Sequence, residues 1–350
     1  MPLPYPDADF TGKTVLVTGA NTGLGLEAAR HFARLNARKV ILGCRSPEKG
    51  DAAKRDIEST LQQPKGDAVA TDPDRIEVWQ VDLETFDSVK AFCGRAADLE
   101  RLDVVVENAG IYSGEFRLAE GYERSVTVNT ISTWLMALLL LPKLRATKEA
   151  FYGGDAKPDA AAEAAARDGT KSDVPHLVII SSNAHFYSKL KGLDGPSIFE
   201  EYKNDRDLLQ HYSGSKLLSL LAGREVASRM LLRSKAEEKE EGKTQVVLNF
   251  VDPGTCQSEL LRNGTSSWLA NLMMGAFLPL LGRTAEAGAR TYVAAAVAGR
   301  ESHGKYLEDC KLSTPHEWVE SEEGGRVQKR VFAELMEILE KVEPGISKNI

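Results

Sequence analysis

Six short runs of aliphatic and β-branched residues alternate along this chain with longer stretches in which apolar residues recur at helical spacing. The runs are "TVLVTG" (14–19), "KVILGC" (39–44), "RIEVWQVD" (75–82), "LDVVVENA" (102–109), "HLVIISS" (176–182) and "QVVLNFV" (245–251). Several are apolar at nearly every position, which suits strands covered on both faces of a parallel sheet. Stretches such as "GLEAARHFARLN", "SPEKGDAAKRDIEST" and "FDSVKAFCGRAAD" carry the helical period between them. The alternation predicts an α/β fold, a doubly wound parallel sheet with helices on both faces. No internal repeat divides the chain, and its 350 residues read as a single domain over 1–350.

Two segments break the rhythm. "GGDAKPDAAAEAAARDGTKSDVP" (153–175) is rich in Ala, Gly and charge and reads as a flexible, solvated insertion. "RSKAEEKEEGK" (233–243) reads as a charged helix end. A formal charge of −7 and the lack of a long basic run exclude a general nucleic-acid binder. The four cysteines, Cys44, Cys93, Cys256 and Cys310, are scattered without CxxC spacing, so no metal site or disulfide framework is expected and a reducing, cytoplasmic setting is. "MPLPYPDADFTGK" is too polar and proline-rich for a signal peptide, and "WLMALLLLPKL" reads as a buried core helix rather than an integral membrane segment.

The first chemical signal is "TGANTGLG", Thr18 to Gly25, placed after the first strand and opening a helix. Its glycines, Gly19, Gly23 and Gly25, let backbone approach a pyrophosphate whose charge a helix N-terminus favours. A tight turn could need the same residues for packing alone, but strand before and amphipathic helix after make this a Rossmann-type dinucleotide site, with Asn21, Thr22 and Leu24 in the same loop. The second signal is "YSGSK", in which Tyr212 and Lys216 stand one helical turn apart. By itself that is an ordinary surface pair. As chemistry, the phenol can give a proton to an alkoxide or take one from an alcohol. Bringing its pKa from near 10 towards 7 takes roughly 4 kcal/mol, which a cation about 4 Å away supplies at an effective dielectric of about 20.

Together "TGANTGLG", "ENAG" (107–110), "VNTIS" (128–132), "IISS" (179–182), "YSGSK" and "DPGTCQSEL" (252–260) resemble, in this order, the short-chain dehydrogenase/reductase family over most of residues 10–310. "NTGLG", "GCRSPEKG", "SSNAH", "PGTCQSEL", "GRTAEAGART" and "HGKYLED" are similar to its retinol-dehydrogenase-like branch, particularly fungal members associated with secondary metabolism. The resemblance implies catalytic roles for Asn129, Ser182, Tyr212 and Lys216. Ser182 would hydrogen-bond the substrate oxygen, and Asn129 would hold a water joining Lys216 to solvent. It also implies cofactor contacts at Asp82 and Leu83, at Asn108, Ala109 and Gly110, and at Pro253, Gly254, Thr255 and Ser258. Glu107 departs from the family, where asparagine is common.

At the end of the second strand, "ILGCRSPEKG" lacks the acid that binds an NAD ribose and offers Arg45 instead, which favours NADP(H). Ser46 could add a phosphate hydrogen bond, although its ordinary role is N-cap of the next helix. The apolar segment after "DPG", within 255–282, reads as a substrate lid, and His185 and His211, flanking a long interval between Ser182 and Tyr212, are candidate extra proton donors. The expected function is an NADP(H)-dependent oxidoreductase acting on a hydrophobic ketone, aldehyde or secondary alcohol. Two alternatives are an isomerase or cyclase using NADP(H) without net redox chemistry and a non-catalytic nucleotide binder. A homodimer of the family kind would form through 121–145 and 212–233.

Overall fold

The computed structural model describes residues 2–61, 74–152, 174–236, 244–257 and 282–350. Most of the expected insertion (153–173) and most of the expected lid (258–281) lie outside the described residues.

The six apolar runs form six parallel strands: β1 (Thr14–Thr18), β2 (Lys39–Cys44), β3 (Ile76–Gln80), β4 (Val104–Glu107), β5 (His176–Ile180) and β6 (Val247–Asp252). Two more, β7 (Tyr306–Glu308) and β8 (Lys311–Ser313), extend the sheet to the spatial order β8-β7-β6-β5-β4-β1-β2-β3, with only the β7–β8 pair antiparallel. The order reverses at β1, and in such sheets the crevice beyond the strand ends at the reversal takes the ligand. The helices lie on both faces: α1 (Gly23–Arg34), α2 (Pro47–Leu61), α3 (Phe86–Ala97), α4 (Thr133–Phe151), α5 (Leu208–Ala236), α6 (Ala285–Ala296) and α7 (Glu322–Val342).

Alternation along each strand assigns side chains to two cores. Val15, Val17, Val40 and Leu42 pack with α1 and α6, whereas Leu16, Val105, Leu177 and Phe250 pack with α3, α4 and α5. The helix carrying "WLMALLLL" continues through Pro142 to Phe151. With the segment before it, Arg124–Phe151 is long and apolar enough to cross a membrane, and most of its apolar window is buried in this core. Between Ser182 and α5, Ile198, Phe199 and Tyr202 enter the same core. Glu334 of α7 accepts from the amide of Ile198 (2.7 Å) and from Ser197 Oγ (2.9 Å), so this interval is tied to the C-terminal helix.

Candidate active site

A cavity of about 680 Å³ opens at the strand ends around the β1/β4 switch point. It is lined at one side by Gly19, Asn21, Thr22, Gly23, Leu24 and Gly25. α1 begins there with no side-chain cap and no acid in its first turn, leaving its first amides for an anion. Gly23 has φ +57° with open space where a Cβ would stand, while a methyl on Gly25 would lie 2.5 Å from both the Gly19 carbonyl oxygen and Asn108 Nδ2. The cradle and the uncapped helix therefore fit the pyrophosphate of a dinucleotide.

Asp82, Leu83, Asn108, Ala109 and Gly110 line the next part of the cavity. Asn108 braces the loop: Nδ2 donates to the Thr18 carbonyl (2.8 Å) and Oδ1 accepts from the Tyr292 hydroxyl (3.0 Å). Arg45 also lines the cavity and is 65% exposed, its Nη1 3.2 Å from Glu84 Oε1. Glu84 is gripped as well by Arg117 and Arg124. Ser46 is not on the cavity wall. Its Oγ accepts from the Lys49 amide (3.3 Å), the ordinary helix-start role, and Lys49 lines the cavity instead. The sequence reading missed Lys49, which lies in the quoted "ILGCRSPEKG" four residues after Arg45, and Glu84, Arg124 and Tyr292, whose places depend on long-range packing.

The catalytic candidates meet at the opposite end. Ser182 follows β5, and its Oγ accepts from the Ala184 amide (3.1 Å), leaving its own proton for the Tyr212 phenol, its side-chain hydrogen-bond partner. α5 carries Tyr212 and Lys216 on the cavity wall, and Gly214 between them leaves the space that the Tyr202 hydroxyl occupies. The expected depression of the phenol pKa by the lysine is not what these side chains give. Burial pushes Tyr212 up to about 12, with Ser182 pulling down and the Asp252 charge pushing up. Lys216 Nζ donates to the Ile180 carbonyl (2.8 Å), and burial lowers it to about 8.

Asn129 lies in a π-helical turn, Thr127–Ser132, just before α4. Such bulges are frequent at functional sites. Its side chain holds the Ile111 backbone rather than standing free for water: Oδ1 accepts from the amide (2.8 Å), and Nδ2 donates to the carbonyl (2.9 Å) and to Ser215 Oγ (3.0 Å). Pro253, Gly254 and Thr255 complete the wall, and Ser258 lies outside the described residues.

Neither histidine lines the cavity. His185 Nδ1 donates to the Ser182 carbonyl (2.6 Å) and Nε2 accepts from the His316 amide (3.2 Å), which fixes a neutral ring whose pKa burial lowers. His211 is fully buried between Glu123 (3.5 Å) and Asp205 (3.7 Å). Glu107 is buried at the end of β4, where desolvation raises its carboxyl to about 8.

Residues 13–151 match the family described as short chain dehydrogenase. Over 356 residues the chain is 37% identical to the short chain dehydrogenase/reductase dmxR8 of Cryptosporiopsis sp. (strain 8999), covering 99% of this chain and 96% of that protein. Over 310 residues it is 39% identical to the short chain dehydrogenase atnD of Emericella nidulans, covering 88% and 87% respectively. A solved short chain dehydrogenase from Mycobacterium paratuberculosis bound to NAD shares the fold, with a TM-score of 0.56 at 17% identity over 86% of this chain and 97% of that one.

Proposed function

The chain belongs to the short-chain dehydrogenase/reductase family of oxidoreductases, whose fold binds nicotinamide cofactors, and from that premise we propose that it is an NADP(H)-dependent reductase or dehydrogenase of a hydrophobic carbonyl or secondary alcohol. The observation that carries this reading is the convergence of Ser182, Tyr212 and Lys216 on one cavity whose other end is the glycine cradle. The bound dihydronicotinamide supplies a hydride. The Ser182 hydroxyl and Tyr212 phenol present two donors to one carbonyl oxygen, and Tyr212 Oη gives it the proton it needs. Lys216 stands on the same wall, one helical turn further along α5.

Arg45 and Lys49 on the wall near the end of β2 support the choice of NADP(H), since a 2′-phosphate there meets two cations. A lipophilic substrate is supported by apolar side chains about the catalytic end. Tyr112 stands edge-on to Tyr212 with ring centroids 5.7 Å apart. Phe186 and Tyr187, just beyond Ser182, and Leu209, one turn before Tyr212, are exposed. A fungal secondary metabolite fits the resemblance of the motifs, and a cytoplasmic setting fits the four free thiols. The homodimer expected through 121–145 and 212–233 is not part of this proposal, because both segments are largely buried within the chain and α5 packs against α7.

The test is a panel of lipophilic ketones and aldehydes incubated with NADPH, following absorbance and product mass together, with wild type and Tyr212→Phe. Turnover with a gain of two hydrogens, reduced about a hundredfold or more in Tyr212→Phe while NADPH binding persists, is expected. Product of unchanged mass with no NADPH consumed, or undiminished turnover in the mutant, overturns the reading.

A further inference from the structure

Directly behind the wall that carries Lys216 lies a buried carboxylate with no basic side chain in contact among the described residues. Asp252 ends β6 and is 2% exposed. Its Oδ1 accepts from the Gly254 amide (2.8 Å) and its Oδ2 from the Tyr306 hydroxyl (3.1 Å), so both oxygens act as acceptors. Strand alternation fixes its direction. Val251 packs with α1 and α6, Phe250 with α4 and α5, and Asp252 therefore points with Phe250 towards α5. Register makes it a neighbour. Lys216 Nζ rests on the carbonyl of Ile180, and Ile180 is paired with Val251, the residue before Asp252, on strands about 4.8 Å apart.

We propose that Asp252 is the counter-charge of Lys216, and that with Tyr306, which pins the carboxylate from β7, it forms a positioning pair that keeps the lysine an ammonium inside a desolvated site. This deepens the oxidoreductase reading and rests on it for its functional meaning. The titratable groups around Asp252 are Lys216 and Tyr212 of α5, His185 of the turn after β5, Cys256 after β6, Tyr292 of α6, and Tyr306 and Glu308 of β7. Two cations stand near, since His185 is held neutral: Lys216, and Arg283, which lies against Pro253 and Gly254 and is paired with Asp309 at 2.7 Å. The Lys216 ammonium is disfavoured by burial and favoured by Asp252, while the same negative charge resists ionisation of Tyr212. The pair thus holds the proton on both catalytic groups until a reaction calls for it.

The experiment is pulse labelling of Lys216 by reductive methylation from pH 6 to 10, read by peptide mass spectrometry, because only the neutral amine reacts. In the wild type the half-labelling point is expected near pH 8, the value to which burial lowers Lys216. An opposite charge at short range shifts such a group by about one unit or more. Asp252→Asn should therefore move the midpoint down by about one unit, so that labelling at pH 7 is roughly fivefold faster. Tyr306→Phe removes the donor that pins Asp252 as a carboxylate, and should move the midpoint down by less than Asp252→Asn does. An unmoved midpoint in folded Asp252→Asn overturns the proposal. If that variant does not fold, an unmoved or raised midpoint in Tyr306→Phe overturns it. Labelling needs no turnover, so a fully active Tyr212→Phe would sink the oxidoreductase reading while leaving the Asp252–Lys216 coupling standing.

Discussion

Asn129 clamps Ile111 by both backbone groups, accepting from its amide at 2.8 Å and donating to its carbonyl at 2.9 Å. The clamp joins the π-helical turn before α4 to the loop after β4, so it sets the cavity wall at Gly110 and Ile111. Asn129→Ala leaves two part-buried backbone groups without that partner, at most about 1–3 kcal/mol each. Urea unfolding should show a loss of a few kcal/mol and NADPH binding should weaken. Asn129→Asp keeps the acceptor for the amide but sets a carboxylate oxygen against the Ile111 carbonyl, and should be no better tolerated. An alanine variant as stable as wild type would show that the wall is held elsewhere.

Gly25→Ala tests the cradle. The added methyl would lie 2.5 Å from the Gly19 carbonyl oxygen and 2.5 Å from Asn108 Nδ2, which is itself bonded to Thr18. Backbone on one side and a braced amide on the other cannot yield without moving the loop. Overpacking of this kind costs about 1–3 kcal/mol. The melting temperature should fall and the NADPH dissociation constant should rise by about tenfold or more, a loss of roughly 1.4 kcal/mol in binding. Unaltered affinity in calorimetry would mean that the pyrophosphate does not sit over this loop.

What could be read before the fold was known follows a physical division. Most of the parallel strands were legible because a strand buried on both faces is apolar nearly throughout, β3 with Glu77 and Gln80 being an edge strand, and the glycine loop because positive φ and close approach leave few other residues. β7 and β8 are three residues each, too short for a period to show. The π turn at 127–132 has no sequence signature in a run that is buried at every position. Tyr212 and Lys216 were legible as a pair one turn apart, but the hydrogen bond of Lys216 to Ile180 is made across 36 residues. Ser46 shows the reverse case, where the local helix-start role won over a phosphate contact. Asp252, the first residue of "DPGTCQSEL" and given no role in the sequence reading, shows its environment only when β7 brings Tyr306 beside it.

Glu107 makes stability depend on pH. Its folded pKa, about 8, stands above the ordinary 4.5 because burial disfavours the charged form. A raised folded pKa means that its contribution is full below about pH 4.5 and is lost as pH rises through about 8. Glu107→Gln keeps the size and removes the ionisation. Its melting temperature should match wild type near pH 5, exceed it progressively up to pH 8, and hold a constant advantage above. A difference that does not vary with pH from 5 to 9 would show that the carboxyl does not ionise on unfolding in that range.

Substitution at Arg45 tests the proposed preference for NADP(H) without any substrate. Its guanidinium lines the cavity, 3.2 Å from Glu84, and is 65% exposed, so the pair that now holds it is a surface ion pair worth about 0–1 kcal/mol. A charge-assisted contact to a 2′-phosphate is worth about 1.5–3 kcal/mol and outweighs that pair. Arg45→Ala should therefore weaken NADPH by roughly tenfold to a hundredfold and leave NADH nearly unchanged, because NADH offers no phosphate. Glu84→Gln should act in the opposite direction, releasing Arg45 from its competitor and tightening NADPH by a few fold at most. Titration of tryptophan fluorescence with each cofactor supplies the dissociation constants for wild type and both variants. If wild type binds NADH as tightly as NADPH, or if Arg45→Ala weakens both alike, Arg45 serves only the surface network around Glu84, and the cofactor preference must be sought at Lys49.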